Sequence, residues 1–289
     1  MYAITGITGQ VGGAVAENLL TRGKQVRAVV RNPGKGRTWA GRGCEVAPAE
    51  INDSDALTKA FSNAEGVFVM LPPIFDPSPG FPEASEAIES IRKALSAAKP
   101  PRVVCLSTIG AQVKRPNLLN QLQMLEKTIG GLALPITFLR PAWFMENFAW
   151  DVAPARELGV VPSFLQPLDK QVPMIATADI GKVAAQILLS SENPGVVELE
   201  GPERISPYKI AALFAQLLGK DVRMQIVPRD SWEPLFRAQG MTNPLPRMQM
   251  LDGFNEGWIE FEGGEAKSLK GTTTLDAVLR SLTDEKKES

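Results

Sequence analysis

A glycine-rich turn near the start of the chain constrains the fold more than any other feature of the sequence. Residues 5–12 read Thr-Gly-Ile-Thr-Gly-Gln-Val-Gly, directly after an apolar strand-like run and directly before a helical pattern. Glycines at this spacing permit a sharp turn, a close backbone approach to a pyrophosphate and tight packing of the helix on the strand. The helix N-terminus then supplies amides to the anion. The turn predicts a dinucleotide-binding site formed by Gly6, Thr8, Gly9, Gln10, Val11 and Gly12.

Short apolar runs alternate with helical periodicity through the first half of the chain. The runs are strand-length and rich in β-branched residues, as expected for strands covered on both faces. Helical spacing of apolar residues separates them, and right-handed crossovers then place the strands in one parallel sheet. The predicted strands are Val26–Val30, Val67–Leu71, Val103–Leu106 and Ile136–Leu139.

This rhythm breaks after about residue 141, where several prolines interrupt the pattern. Later segments still predict a helix over Asp179–Leu189, a strand over Val196–Leu199 and a helix over Ser206–Leu218 with an N-cap Ser and a closing Gly219. We therefore predict an α/β fold, a Rossmann-type doubly wound parallel sheet with a smaller C-terminal α+β lobe. Residues 1–141 would form the cofactor-binding domain. Residues 142–289 would form mainly the substrate-binding lobe, with some segments returning to the first domain.

Missing residue types limit the possible chemistry. The chain has no His, two Tyr and two Cys. Without imidazole, a Ser-His-Asp triad, a Cys-His pair and a His-ligated metal are excluded, and two Cys cannot form a Cys₄ zinc site. We expect no metal site. Cys44 and Cys105 lie in apolar stretches and are expected to be buried, unreactive thiols.

The charge balance bears on partners and compartment. The 31 basic and 32 acidic residues give a formal net charge of -1, which offers no electrostatic reason to bind nucleic acid or an anionic membrane surface. No uncharged apolar run approaches the ~18 residues of a membrane span. A strand-like run begins directly after Met1, which leaves no room for a secretory leader. We expect a cytoplasmic protein.

Basic residues follow the second predicted strand. The residue type at this place discriminates between NAD(H) and NADP(H). An acidic residue there would bind a ribose 2′-hydroxyl, whereas a basic one accepts a 2′-phosphate. The stretch from residue 22 to residue 42 has no acidic residue, which favours NADP(H) over a merely solvated basic face. We predict Arg31, with Lys35 or Arg37, as the phosphate partners. The basic residues of this stretch are Arg22, Lys24, Arg27, Arg31, Lys35, Arg37 and Arg42.

Several motifs in order along the chain resemble the NmrA-like branch of the atypical short-chain dehydrogenases/reductases. They are the Thr-Gly-x-Thr-Gly-x-x-Gly turn, the Arg-Asn-Pro at residues 31–33, the run from Ile136 to Asn147, and the segment from Glu200 to Ser206 with its following helix. The family includes NADPH-dependent quinone reductases and non-enzymatic proteins that sense the nicotinamide redox state.

The resemblance implies further site residues. Leu71, Pro72 and Pro73 resemble the segment beside the cofactor ribose, and Ser107 and Thr108 resemble the floor under the nicotinamide. Residues 141–144 resemble the segment that packs on the nicotinamide, which makes Pro141, Trp143 and Phe144 cofactor contacts. Trp143, Phe144 and Phe148 would also line the substrate cleft. A Pro-Pro pair that only stiffens a loop and a Trp-Phe pair in the core are the alternatives.

The sequence departs from its relatives at the proton donor. Many short-chain dehydrogenases/reductases use a Tyr-x-x-x-Lys pair on the helix after the fifth strand. Neither Tyr2 nor Tyr208 can occupy that position, and the place of the Lys or His of NmrA-like reductases falls on Leu122. Lys114 and Lys127 are nearby substitutes of lower rank, and Ser107 or Thr108 could polarise a substrate oxygen.

Three functions remain open on the sequence alone. The first is an NADPH-dependent reductase of quinone-like or other small apolar acceptors, since a quinone can take hydride and receive its proton from water or a hydroxyl. The second is a non-catalytic NADP(H)-sensing regulator that acts through a protein partner, as Leu122 would permit. The third is a sugar-nucleotide epimerase or dehydratase, which the missing Tyr disfavours.

Overall fold

The computed structural model describes residues 1–285, and an eight-stranded sheet organises them. The strand order is β3-β2-β1-β4-β5-β6-β10-β12, and every neighbouring pair is parallel. Two short parallel pairs, β7 with β9 and β8 with β11, lie outside it. The strands of the described residues are β1 Tyr2–Ile4, β2 Val26–Val30, β3 Glu45–Pro48, β4 Gly66–Val69, β5 Val103–Leu106, β6 Ile136–Pro141, β7 Trp143–Phe144, β8 Val160–Ser163, β9 Met174–Ile175, β10 Val196–Glu200, β11 Arg223–Ile226 and β12 Leu269–Lys270.

Helices connect the strands and cover both faces of the sheet. Short 3₁₀ helices also occur at Met145–Trp150, Arg229–Ser231 and Glu265–Lys267. The α-helices of the described residues are α1 Gln10–Leu20, α2 Pro33–Ala40, α3 Ser54–Phe61, α4 Pro82–Ala98, α5 Asn120–Ile129, α6 Val152–Leu158, α7 Thr177–Leu189, α8 Pro207–Leu218, α9 Trp232–Ala238, α10 Leu245–Glu256 and α11 Leu275–Glu285.

The predicted doubly wound parallel sheet is confirmed. The predicted strands at 26–30 and 103–106 have the observed bounds, and the C-terminal helix α8 has the predicted caps. The Ser206 side chain accepts a hydrogen bond from the Lys209 amide, and Gly219 closes the helix in the left-handed region at φ 62°. Strand β4 ends at Val69, two residues earlier than predicted. Strands β10 and β12 join the sheet from beyond residue 141, whereas the domain boundary itself stays a prediction.

Two apolar clusters fix the layers of the fold. One packs α3, α4 and α5 on one face of the sheet through residues such as Phe61 and Ile91. The other packs α1 and α7 on the opposite face and continues into the C-terminal part of the chain. Helices α1 and α7 lie so close together that a Cβ at Gly181 would overlap the side chain of Ala14.

Cys44 and Cys105 are both free and buried, as predicted, and burial raises the pKa of both thiols. Within residues 1–285 no helix combines the length and the apolar character needed to cross a bilayer.

A carboxyl group without a partner lies at the start of α6. The half-buried Asp151 side chain forms no hydrogen bond or ion pair with any described residue, although the residue precedes the helix. Burial raises the pKa of Asp151 to about 7, because the charged form loses hydration and gains no compensating contact. A carboxyl group with a raised pKa destabilises the folded state as pH rises. The free energy of unfolding begins to fall when pH passes the pKa of the unfolded state, and the loss is complete above the pKa of the folded state.

We expect Asp151→Asn to raise the melting temperature at pH 8, with a difference from wild type that narrows as pH falls from about 7 towards 4. Each pH unit between the two pKa values contributes about 1.4 kcal/mol, which bounds the gain at about 4 kcal/mol. Thermal unfolding at several pH values measures it. Glu157→Gln removes a charge from the exposed side of the same helix and serves as the control. Equal melting temperatures for Asp151→Asn and wild type at pH 8 would contradict the assignment.

Candidate functional site

The glycine turn after β1 folds back against the loop that follows β4. Gly6 adopts φ 62°, and a Cβ there would overlap the Met70 sulfur. The Thr5 hydroxyl donates to the Phe68 carbonyl at 3.2 Å and accepts from the Met70 amide at 3.0 Å, which ties the two strand ends together. A Cβ at Gly12 would overlap the Gly6 carbonyl, so the first turn of α1 can lie against the glycine turn only because residue 12 is glycine.

The N-terminus of α1 is open to an anion. Gly9 is its N-cap, and no side chain caps the helix. The Gly9 amide bonds the Gly6 carbonyl at 2.9 Å, while Thr8, Gly9 and Gln10 are exposed and Val11 and Gly12 are buried beneath them. Uncapped first-turn amides carry the positive end of the helix dipole, so this surface suits a phosphate group.

The basic stretch after β2 divides into paired and unpaired residues. Arg27 pairs with Glu45 at 2.7 Å, and Arg42 pairs with Glu17. The side chains of Arg31, Lys35 and Arg37 are exposed and form no hydrogen bond or ion pair within residues 1–285. Arg31 directly follows β2, and Lys35 and Arg37 lie on the exposed side of α2. The Asn32 side chain caps this helix by accepting a hydrogen bond from the Gly34 amide at 2.8 Å.

The loop after β4 reaches across to the C-terminal part of the chain. Leu71 is half-buried, and Pro72 and Pro73 are exposed. Further along, the Asp76 carboxylate accepts hydrogen bonds from the Thr242 amide at 2.8 Å, the Thr242 hydroxyl at 2.9 Å and the Asn243 amide at 2.7 Å. These backbone hydrogen bonds lower the pKa of Asp76. Through Asp76 the loop therefore forms a bridge between the carboxyl edge of the sheet and the segment that precedes α10.

The residues after β5 differ in how they are held. The buried Ser107 hydroxyl donates to Glu126 Oε1 at 2.5 Å, and Glu126 in turn accepts two hydrogen bonds from Arg140, at 2.8 and 2.7 Å. Arg140 also pairs with Glu262 at 2.9 Å. The Thr108 hydroxyl, half-buried at the same strand end, has no hydrogen-bond partner among residues 1–285. Ser107 is thus fixed by a buried ion pair, whereas Thr108 is available to a ligand.

Helix α5 carries an apolar residue at the position where the family resemblance predicts a proton donor. Leu122 is half-buried and packs into the apolar cluster between the sheet and α4. The neighbouring Gln121 donates to the Ile74 carbonyl at 3.1 Å and so holds the loop after β4. Lys114 is exposed before the helix, and Lys127 is exposed in its last turn. None of the described interactions brings either lysine to the strand ends.

The segment after β6 forms an aromatic wall. Pro141 is buried in the strand, and Trp143 and Phe144 are half-buried. The Trp143 ring meets Phe254 edge-on with ring centroids 5.2 Å apart, and its buried indole N–H has no hydrogen-bond partner within residues 1–285. Phe148 is only 6% exposed and belongs to the main core cluster, so it presents little surface to a ligand.

Most of these residues are brought to one edge of the sheet because they follow parallel strands. Residues after β1, β2, β4, β5 and β6 meet there, as open α/β sheets require. Sequence patterns did not indicate the bridge at Asp76 or the Glu126–Arg140 ion pair. The only local signal for the bridge is the run of loop residues after β4, and its partners lie more than 160 positions away along the chain.

Known proteins with similar sequences and folds match this architecture. A sequence profile described as the NmrA-like family matches residues 2–258. Quinone oxidoreductase 2 of Escherichia coli strain K12 is 27% identical over 254 residues, covering 86% of this chain and 85% of its own. NAD(P)H azoreductase of Xenophilus azovorans is 26% identical over 264 residues, covering 89% and 85%. The crystal structure of the NADPH-dependent quinone oxidoreductase 2 of Escherichia coli with NADPH superposes with a TM-score of 0.81 at 25% identity, covering 99% of each chain.

We expect Gly12→Ala to destabilise the fold by about 1–3 kcal/mol, because its Cβ would lie against the Gly6 carbonyl and 2.8 Å from the Ile7 nitrogen. Gly13→Ala is the matched control, since its nearest contacts are 3.3 Å to the Ile7 oxygen and 3.6 Å to Trp39. Alanine inside a helix offsets that contact by about 0.5–1 kcal/mol. Chemical unfolding of the two variants tests the difference. Equal stability would refute the close packing of turn and helix.

Proposed function

This chain belongs to the NmrA-like family, and from that premise we propose that it is an NADPH-dependent reductase that transfers hydride to a quinone-like or other small apolar acceptor. The observation that carries the proposal is the uncapped N-terminus of α1 beside the unpaired Arg31. A glycine turn on a helix N-terminus holds a pyrophosphate, and a guanidinium holds a phosphate by paired hydrogen bonds. Two relatives of similar length, the NAD(P)H azoreductase and the NADPH-dependent quinone oxidoreductase 2, are reductases that use these cofactors by name.

At the adenosine end, the turn residues Gly6, Thr8, Gly9, Gln10, Val11 and Gly12 would hold the pyrophosphate. Arg31 would bind the 2′-phosphate, with Lys35 or Arg37 as a second positive charge. Three exposed cations without internal partners lose no ion pair when they bind the phosphate, which supports this assignment. Arg27 and Arg42 are already neutralised by carboxylates and take no part.

At the nicotinamide end, residues at the ends of β4 and β6 would form the pocket. Leu71, Pro72 and Pro73 would lie beside the ribose, and Pro141, Trp143 and Phe144 would pack on the ring. Trp143 and Phe144 would also face the acceptor. The buried core position of Phe148 supports only a role behind this wall.

The reaction needs little from the protein besides position. NADPH supplies a hydride when it is bound, and a quinone becomes a hydroquinone when it gains that hydride and a proton. Thr108 would donate a hydrogen bond to the acceptor oxygen, because its hydroxyl is free of internal partners. Ser107 would act as a positioning residue, since its proton is engaged by Glu126. The aromatic wall would exclude water and hold the acceptor against the ring.

The regulator hypothesis is not favoured, because quinone oxidoreductase 2 and NAD(P)H azoreductase, which match over most of their length, are reductases by name. No protein partner needs to be invoked for the proposed reaction. We propose the cytoplasm as the compartment, since a reducing environment keeps two free thiols from oxidising.

We expect wild-type protein to oxidise NADPH when 1,4-naphthoquinone is added, and we expect Thr108→Val to lower kcat by about 10-fold. The substitution removes one hydrogen bond to the acceptor, worth about 1 kcal/mol or more. Ser107→Ala is the comparison, and it should act mainly through stability. Absorbance at 340 nm measures turnover. NADPH binding without turnover of any quinone would contradict the reductase and favour the regulator.

We expect Arg31→Gln to weaken NADPH binding about 10- to 100-fold and to change NADH binding little, because a charged hydrogen bond to a phosphate contributes about 1.5–3 kcal/mol. Arg42→Gln is the control, since Arg42 pairs with Glu17 and lies over the Trp39 ring at 4.7 Å. Titration calorimetry gives both affinities. Tighter binding of NADH than NADPH by wild type would overturn the choice of cofactor.

A further inference from the structure

A half-buried guanidinium on α10 has no anionic partner. Arg247 lies in the first turn of this helix, and its guanidinium carbon is 4.5 Å from the centroid of the Phe236 ring. Its one described hydrogen bond goes from a terminal nitrogen to the Met241 sulfur, at 3.6 Å. Burial lowers the pKa of Arg247, and no charged group in residues 1–285 offsets that effect. A charge in such a place normally has a counterion, so its absence requires an explanation.

Three other arginines with restricted exposure are neutralised by carboxylates. Arg140 contacts Glu126 and Glu262, and Arg204 contacts Glu260 at 2.8 Å. Arg229 makes a closer comparison, because it also lies over an aromatic ring of the same cluster, Trp232, at 4.8 Å. Arg229 nevertheless pairs with Asp252 through two hydrogen bonds of 2.6 and 2.7 Å. Within residues 1–285, the missing carboxylate therefore distinguishes Arg247 from the other arginine that lies over a ring of this cluster.

The segment that carries Arg247 is connected to the strand ends that carry the proposed chemistry. The Pro246 carbonyl accepts from the amide of Leu118, in the loop after β5. Residues 242 and 243 bind Asp76 in the loop after β4. The apolar cluster of Trp232, Phe236, Met248 and Leu251, on which the guanidinium rests, also packs against Trp143, which follows β6. The first turn of α10 is thus joined to the segments that follow β4, β5 and β6.

The cofactor phosphates lie elsewhere along this edge. Strand β2, which precedes Arg31, is separated from β5 by β1 and β4. With neighbouring strands about 4.8 Å apart, three such steps span about 14 Å. The loop after β5 that Pro246 contacts is therefore remote from the proposed 2′-phosphate site, which favours the acceptor over the adenosine end of the cofactor as the source of an anion at Arg247.

We propose that Arg247 binds an oxyanion substituent, a carboxylate or a sulfonate, on the acceptor. This inference rests on the proposed reductase function and narrows its substrates to flat, electron-poor molecules that carry a negative group away from the reacting centre. A guanidinium presents paired donors that match such a group, and the aromatic surroundings strengthen the attraction by excluding water. The half-buried Trp143 ring accommodates the apolar body of the same molecule.

The direct test compares two acceptors that differ by one charge, 1,4-naphthoquinone and 1,4-naphthoquinone-6-sulfonate, with NADPH as the donor. We expect Arg247→Gln to lower the ratio of kcat/KM for the sulfonate to that for the parent quinone by about 10- to 100-fold relative to wild type. Intrinsic differences in reactivity between the quinones cancel, because the comparison is between proteins. Arg247→Lys should lose part of the ratio. Arg92→Gln, on the far face of the sheet and paired with Glu89, should leave it unchanged. An unchanged ratio in Arg247→Gln overturns the proposal.

A binding measurement separates this proposal from the reductase function. Naphthalene-2-sulfonate cannot be reduced, and calorimetry with the NADPH-saturated protein should give an affinity that falls about 10-fold or more in Arg247→Gln. If wild type reduces neither quinone yet binds this probe through Arg247, the reductase proposal fails and the anion site stands. Weaker NADPH binding with unchanged probe binding would assign the guanidinium to the cofactor and overturn the proposal. Thermal unfolding of Arg247→Gln and Arg247→Met checks the fold, and both should melt no lower than wild type, since neither loses an ion pair.

Discussion

All eight strands of the sheet run in one direction, and the candidate site depends on this constraint. Parallel strands require a return crossover after each strand, so every carboxyl end and every following loop lies at the same edge. The glycine turn, the basic residues after β2 and the aromatic pair after β6 come from distant parts of the sequence and meet there. The loop after β4 then reaches Thr242 and Asn243 through Asp76, which joins this edge to the C-terminal part of the chain.

The distribution of internal ion pairs gives the site its electrostatic character. Buried or half-buried cations such as Arg140, Arg204 and Arg229 are neutralised by carboxylates, so they contribute to packing and have no free charge for a ligand. Within residues 1–285, Arg31, Lys35, Arg37 and Arg247 have no carboxylate partner. A molecule with net charge near zero therefore presents localised positive groups, which we propose bind oxyanions of two different ligands.

The absence of a dedicated proton donor has a structural counterpart. Leu122 packs against an apolar cluster at the position where the family resemblance predicts a titratable group, and the Ser107 hydroxyl donates to Glu126. The proposed chemistry would then rely on acceptors that need little acid catalysis. Quinone-like molecules satisfy that requirement, because their conjugated rings delocalise the incoming electrons. The Thr108 hydroxyl and solvent water suffice for the proton.

Local signals in the sequence determined the parallel sheet, the glycine turn and the capped helix α8, because strand length, helical periodicity and capping depend on neighbouring residues. The sequence also excluded imidazole chemistry and placed Arg31 after β2. It could not predict the short strands β8 and β11, which pair with each other outside the main sheet. Only the tertiary structure decided that Ser107 is engaged, that Phe148 is core and that Arg247 lacks a partner. Whether a charged or polar side chain is paired or free depends on residues far away in sequence, and folding alone brings them within hydrogen-bonding distance.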